Sequence, residues 1–202
     1  MESEHWSYPL MEHGLRGGWY ESTLGYSTIE EWWERSVQEP YWAVHVLETL
    51  RYPNISALRL IAVRIIKNIP LSVNEAMFPY AQWPDVLAKS LSIAEDYALG
   101  FAREQDLTDA CECAWHFIEE HFGEREDRRT WPAIVAESIA WCTYLDSRYV
   151  WEAVRMCTHN AVCMSAEPAQ VMGIIRQHIT AEEVAAALND WTAFHHRKET
   201  PC

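Results

Sequence analysis

The sequence predicts an all-α protein, a bundle or short stack of eight to ten antiparallel helices with an irregular N-terminal arm. Apolar residues recur at three- and four-residue steps, as in Ile55, Leu58, Ile61, Ile65, Ile66 and Ile69, the period of one helix face. Helix-start signals repeat along the chain, with Ser, Thr, Asp or Asn placed just ahead of apolar runs. No segment alternates apolar and polar residues over a strand's length, and neither Asn-Gly nor Asp-Gly occurs to turn a hairpin.

Residues 1–26 read as an arm packed on one helical domain, 27–202. The arm holds four of the seven Gly (Gly14, Gly17, Gly18, Gly25), which oppose a long helix, and five aromatics (Trp6, Tyr8, Trp19, Tyr20, Tyr26) that can pin it. Ser27 with Glu30 and Thr28 with Glu31 form overlapping capping boxes for a helix to about Gln38. Pro40 stands in the first turn of the next, to about Leu50. Asn54 caps a third, the Ile-rich helix. Pro70, Pro79 and Pro84 bracket an irregular stretch with a short turn at Asn74–Met77.

Pro84-Asp85 opens a helix with Val86, Leu87, Leu91, Ala94, Tyr97, Ala98 and Phe101 on one face. Thr108-Asp109 is expected to cap the next, closed by Gly123 and followed by a charged loop, Glu124 to Arg129. Thr130-Trp131-Pro132 opens a helix to about Leu145, Asp146 caps one to about Ser165, and Pro168 starts one to about His178. Thr180 and Glu183 box the last, to about His196. Trp115, Trp141 and Trp151 lie among small apolar residues, which predicts core positions.

Composition narrows the function. The formal net charge is −14, with 16 Lys and Arg against 30 Asp and Glu, which opposes nucleic-acid binding. The N-terminus lacks a basic stretch followed by an apolar run, and Leu58–Ile69 is too short and too charged to span a membrane. A cytoplasmic protein is therefore expected, and its six Cys are expected as reduced, small packing residues. Cys111 and Cys113 are two apart and fall on different helix faces.

No catalytic residue and no cofactor is expected. Nucleophile elbow, Walker loop and Gly-x-Gly-x-x-Gly are all missing from the sequence. His45 with Glu48 and His116 with Glu119 have the i, i+3 spacing of helical metal ligands, but in the reverse order to Glu-x-x-His. Solvated helix faces are the ordinary reading, and a helical metal-dependent enzyme is the alternative. A self-associating helical scaffold is a second.

The charge is unevenly placed. Residues 1–52 hold nine acids and three bases, residues 106–130 eight and three, so −11 of the −14 lies there. This is either a solvated acidic surface that favours solubility or a face that docks a basic protein. The docking candidates are Glu119, Glu120, Glu124, Glu126 and Asp127, with Glu30, Glu31 and Glu34 as a second patch. Trp32 and Trp33 are adjacent, about 100° apart on a helix. One of them stays exposed as an interface anchor unless the arm covers it.

Three stretches carry a family likeness: Leu58 to Ile66, likened to an apolar helix; Trp83 to Ala98, to a helix of Ala-x-x-x-Ala-x-x-Tyr type; and Asp109 to Trp115, to an Ala-rich helix. From Leu58 to about Ser165 the chain resembles the all-helical immunity proteins of bacterial polymorphic-toxin systems, with fewer Ala, more Trp and the additional arm. The resemblance implies a binder and not an enzyme, an inhibitor that occludes a cognate toxin. The acidic surface would suit a basic, nucleic-acid-cleaving toxin.

Overall fold

The computed structural model describes residues 5–12, 22–35, 40–68, 84–123, 131–163 and 166–199. Among them are ten helices and no strand: α1 Tyr8–Glu12, α2 Ile29–Arg35, α3 Pro40–Thr49, α4 Ile55–Asn68, α5 Asp85–Ala98, α6 Glu104–Phe122, α7 Trp131–Cys142, α8 Ser147–Cys163, α9 Pro168–His178 and α10 Ala181–Glu199. The all-α expectation is met. The expected turn at Asn74–Met77, the loop Glu124 to Arg129 and the end of α2 near Gln38 lie outside the described residues.

The chain folds as two compact units, residues 1–53 with 168–202 and residues 54–167. In the first, α2 packs on α10 and α3 on α9. Thr28 accepts the Glu31 N–H at 3.1 Å, while the Glu31 carboxylate accepts the Ser27 N–H at 3.0 Å. One box therefore starts α2 where the sequence offered two. Thr180 and Glu183 form the expected reciprocal box of α10, with bonds of 2.8 and 3.3 Å. The second Glu183 oxygen accepts the Tyr52 hydroxyl at 3.1 Å.

Trp32 and Trp33 are both buried, at 0% and 1% exposure. Trp6 of the arm lies 5.9 Å from Trp32, and both His5 and Trp6 bond the Tyr26 carbonyl, which folds the arm over that ring. Trp33 turns the other way and donates its indole N–H to the Ile179 carbonyl at 3.1 Å. Arg176 in turn donates to the Trp33 carbonyl, a carbonyl of the last turn of α2. The two rings are thus core, and neither is an exposed anchor.

In the second unit, α4 is the central element, packed on α5, α7 and α8, while α6 packs on α5 and α7. Asn54 caps α4 as expected, its side-chain oxygen accepting the Ala57 N–H at 3.0 Å. The apolar face of α4 buries Leu58, Ile61, Ala62, Ile65 and Ile66. At its far end Arg64 and Lys67 both pair with Glu95 of α5. The Lys67 hydrogen bond holds that carboxyl below its usual range.

Arg59 breaks the apolar face and is 2% exposed. Its guanidinium donates to the Cys142 carbonyl and to the Tyr144 carbonyl, the latter at 2.8 Å, and lies 5.2 Å from the centre of the Tyr97 ring. These carbonyls close α7, so a cation meets the negative end of a helix. Burial lowers the pKa of Arg59 from its ordinary value. Thr143 also folds back, its hydroxyl donating to the Ala140 carbonyl at 2.5 Å. The backbone tightens at the same place, the Thr143 N–H bonding the Ala140 carbonyl three residues back at 3.0 Å, and α7 stops at Cys142 and not at Leu145.

Three further expectations are corrected. α6 begins at Glu104, four residues ahead of Thr108, because the Arg103 N–H and guanidinium both bond Asp106. Thr108 instead donates to the Glu104 carbonyl inside the helix, at 3.0 Å. α5 ends before Phe101: Gly100 turns at φ +82° and leaves that ring 81% exposed. Trp115, Trp141 and Trp151 are half-buried rather than fully enclosed, and small residues beside them, such as Ala114, Ala140 and Ala153, take the deepest positions.

Replacing Arg59 by Met keeps most of the stem and removes every donor. Two hydrogen bonds from a charged group are lost, so unfolding free energy is expected to fall by about 3 kcal/mol. Chemical denaturation measures this, and an unchanged or raised midpoint would contradict the role given to Arg59.

Candidate partner-docking surface

α6 carries no Lys or Arg over its 19 residues, and the sequence has none between Arg103 and Arg125. Its apolar side is fixed by Leu107, Ala110, Ala114, Phe117 and Ile118, all buried. The opposite side is then set by the helical period. Asp109, Glu112, Glu119 and Glu120 are exposed and share it with His116 and Cys113. Positions 109, 112, 116 and 119 are three or four residues apart, with 113 and 120 next to two of them, so the six share one side of the helix over about 16 Å at 1.5 Å per residue, with His116 between the acids of its two ends. Gln105 donates its amide to Asp109 at 2.6 Å, a neutral partner that leaves the charge in place.

The stripe runs against the helix's own field. Acids suit the first turn of a helix and oppose the last, where Glu119 and Glu120 stand. The N-terminal end is conventional. Asp106 accepts from Arg103, and the Arg103 side chain, then its N–H, pulls the Asp106 pKa down from 3.8 to about 2.

Aromatic residues border the stripe. Trp115 of α6 meets the Tyr144 ring edge-on at 6.4 Å, and Tyr144 stacks on Tyr149 at 4.1 Å. Tyr149 and Leu145 are exposed, at 38% and 45%. Cys111 of α6 lies near Thr143 of the α7–α8 turn, and burial pushes its thiol up. Cys111 thus faces the turn while Cys113 faces solvent. A carboxylate stripe beside amphipathic rings has the composition of a protein-docking surface, with polar contacts for orientation and rings for contact area.

Of the acids expected to dock a partner, Glu119 and Glu120 are on this surface, while Glu124, Glu126 and Asp127 lie outside the described residues. The second patch is partly engaged elsewhere. Glu31 pairs with Arg35 at 2.7 Å and caps α2, Glu34 acts on the Arg176 charge, and Glu30 is half-buried. Of these acids Glu31 serves α2 locally, while Glu34 is exposed, and Trp32 and Trp33 are core. Sequence reasoning missed Asp109 and Glu112. Reading 109, 112, 116, 119 as one helical stripe would have found them, but the misplaced start at Thr108 put Asp109 in a cap.

The metal alternative gains little geometry. His45 lies 3.8 Å from Glu48 at one nitrogen–oxygen contact, and His116 and Glu119 are both solvent-facing. Among the described residues no group of three or more His, Cys, Asp or Glu is gathered for a metal. A crevice between Ile65, Ile66, Val135, Ser138, Cys157 and Asn160 holds about 10 Å³, room for about one water and far below the range of ordinary ligand pockets. No helix among the described residues is long and apolar enough to cross a membrane. No protein-family model, curated protein or solved structure matches the chain.

The low pKa of Asp106 has a pH signature. Its folded pKa lies below its ordinary value, so its stabilising contribution is complete above pH 3.8 and is lost as pH falls toward about 2. Carbon-detected NMR titration of the carboxyl is expected to give a midpoint of about 2. A midpoint at the ordinary 3.8 would contradict the Arg103–Asp106 closure of α6.

Proposed function

We propose that this protein is a binding protein of the immunity type, acting in the cytoplasm, which captures and occludes a basic, nucleic-acid-cleaving toxin. The observation that carries this reading is the α6 stripe: four exposed carboxylates on one side of a helix with no Lys or Arg, two of them placed against the helix dipole. Natural proteins retain such locally unfavourable choices at functional positions. A basic partner would relieve the repulsion along the stripe and gain rate from the attraction. The resemblance of residues 58–165 to all-helical immunity proteins supplies the biological class. Occlusion needs no catalytic group.

The test is a stopped-flow titration with a basic toxin-type protein encoded beside this gene, using the native chain and a variant with Asp109, Glu112, Glu119 and Glu120 changed to Lys. The native association rate is expected to fall steeply with added salt, and the variant's to fall by more than about tenfold at low salt. Glu119→Lys and Glu120→Lys alone are expected to stabilise the free protein by about 0.3–1 kcal/mol each, because the change now suits the dipole. Weaker binding by a more stable protein separates a docking role from a folding defect. Capture unaffected by the four substitutions would remove α6 from the mechanism.

A further inference from the structure

The C-terminal end of α8 carries a constellation that the docking surface does not use. His159 and Cys163 stand one helical turn apart, both are exposed, and the Cys163 Sγ lies 3.5 Å from the His159 Nε2. We propose that this pair is a thiolate–imidazole half-site for a thiophilic divalent cation such as Zn²⁺.

The bite distance carries the proposal. Zinc binds thiolate at about 2.3 Å and imidazole at about 2.0–2.1 Å. With a tetrahedral angle between them, the two donor atoms lie about 3.6 Å apart. The observed 3.5 Å therefore matches the span that one ion bridges. The i, i+4 spacing on a formed helix holds the two donors on one face before any metal arrives. Both are open to water, so entry needs no local unfolding. One soft sulfur and one imidazole nitrogen favour zinc over magnesium or calcium, which take oxygen ligands.

Zinc completes four positions. Since no third protein ligand is gathered among the described residues, water or the same pair from a second copy fills the other two. Binding exchanges one proton for one metal bond. The thiol S–H breaks, sulfur keeps the electron pair and donates it to the ion, and the proton leaves to solvent. Imidazole binds in its neutral form through Nε2. No electron is transferred, and affinity rises with pH.

The experiment uses the full, reduced chain with Cys113→Ser and Cys202→Ser, which leaves Cys163 as the one exposed thiol among the described residues, and titrates it with Co²⁺ and then Zn²⁺. Thiolate-to-cobalt charge transfer is expected in the near ultraviolet, displaced by Zn²⁺, with about one proton released per thiolate in calorimetry. Cys163→Ser is expected to abolish the band, and His159→Ala to abolish or sharply weaken it, with helicity by circular dichroism unchanged. One metal per chain in a monomer places water in the open positions, and one metal per two chains with a doubled mass by light scattering places a second copy there; either supports the site. No band in the protein with Cys113→Ser and Cys202→Ser, or a band that survives Cys163→Ser, would overturn it.

Discussion

A guanidinium is costly to bury unless its donors are met, and residues 54–167 meet those of Arg59 with groups that themselves need a partner. The end of α7 exposes carbonyls that the helix cannot satisfy, and Arg59 reaches two of them from α4. The cation lies over the ring of Tyr97 at the end of α5. One side chain of α4 thereby meets the ends of two other helices. At the α7–α8 turn Thr143 and Tyr144 lie near Cys111 and Trp115 of α6. The acidic stripe and its aromatic border adjoin there.

The unit formed by residues 1–53 and 168–202 solves a different problem with related means. Its short helices cannot bury much area each, so it uses two adjacent Trp and closes them from two sides. Trp32 is covered by Trp6, and Trp33 bonds the carbonyl that precedes α10. Arg176 ends α2 much as Arg59 ends α7, by donating to a carbonyl of the last turn. Glu31 and Glu183 are absorbed by this local work. Glu31 is thus engaged by its own helix, whereas Glu112, Glu119 and Glu120 of α6 face solvent. The two units carry equal net charge, −7 each, from 13 acids against 6 bases and 17 against 10, so composition alone does not distinguish them.

Local chemistry was legible in the sequence and tertiary chemistry was not. Asn54, Pro84, Asp146, Pro168 and the Thr180–Glu183 box announced their helices because capping is settled within four residues. The start of α6 was misread because Arg103 with Asp106 is an unusual closure and Thr108 looked like an ordinary one. Phe101 read as core from its spacing, but Gly100 ends the helical period before it. Arg59 gave no sign of its role, since a buried Arg within an apolar run looks like any helix charge until its carbonyls are in place. The stripe on α6 was half visible: Glu119 and Glu120 stood out as a charge run, whereas Asp109 and Glu112 needed the correct helix start.

The central claim is that the outward side of α6 is the surface a basic partner covers. Carboxyl footprinting of the free and the partner-bound protein tests it most directly, by labelling exposed Asp and Glu and locating them by mass spectrometry. Asp109, Glu112, Glu119 and Glu120 are expected to lose labelling together in the complex, while Glu30 and Glu31 keep theirs. Unchanged labelling of all four in a saturated complex, with protection elsewhere, would contradict the account.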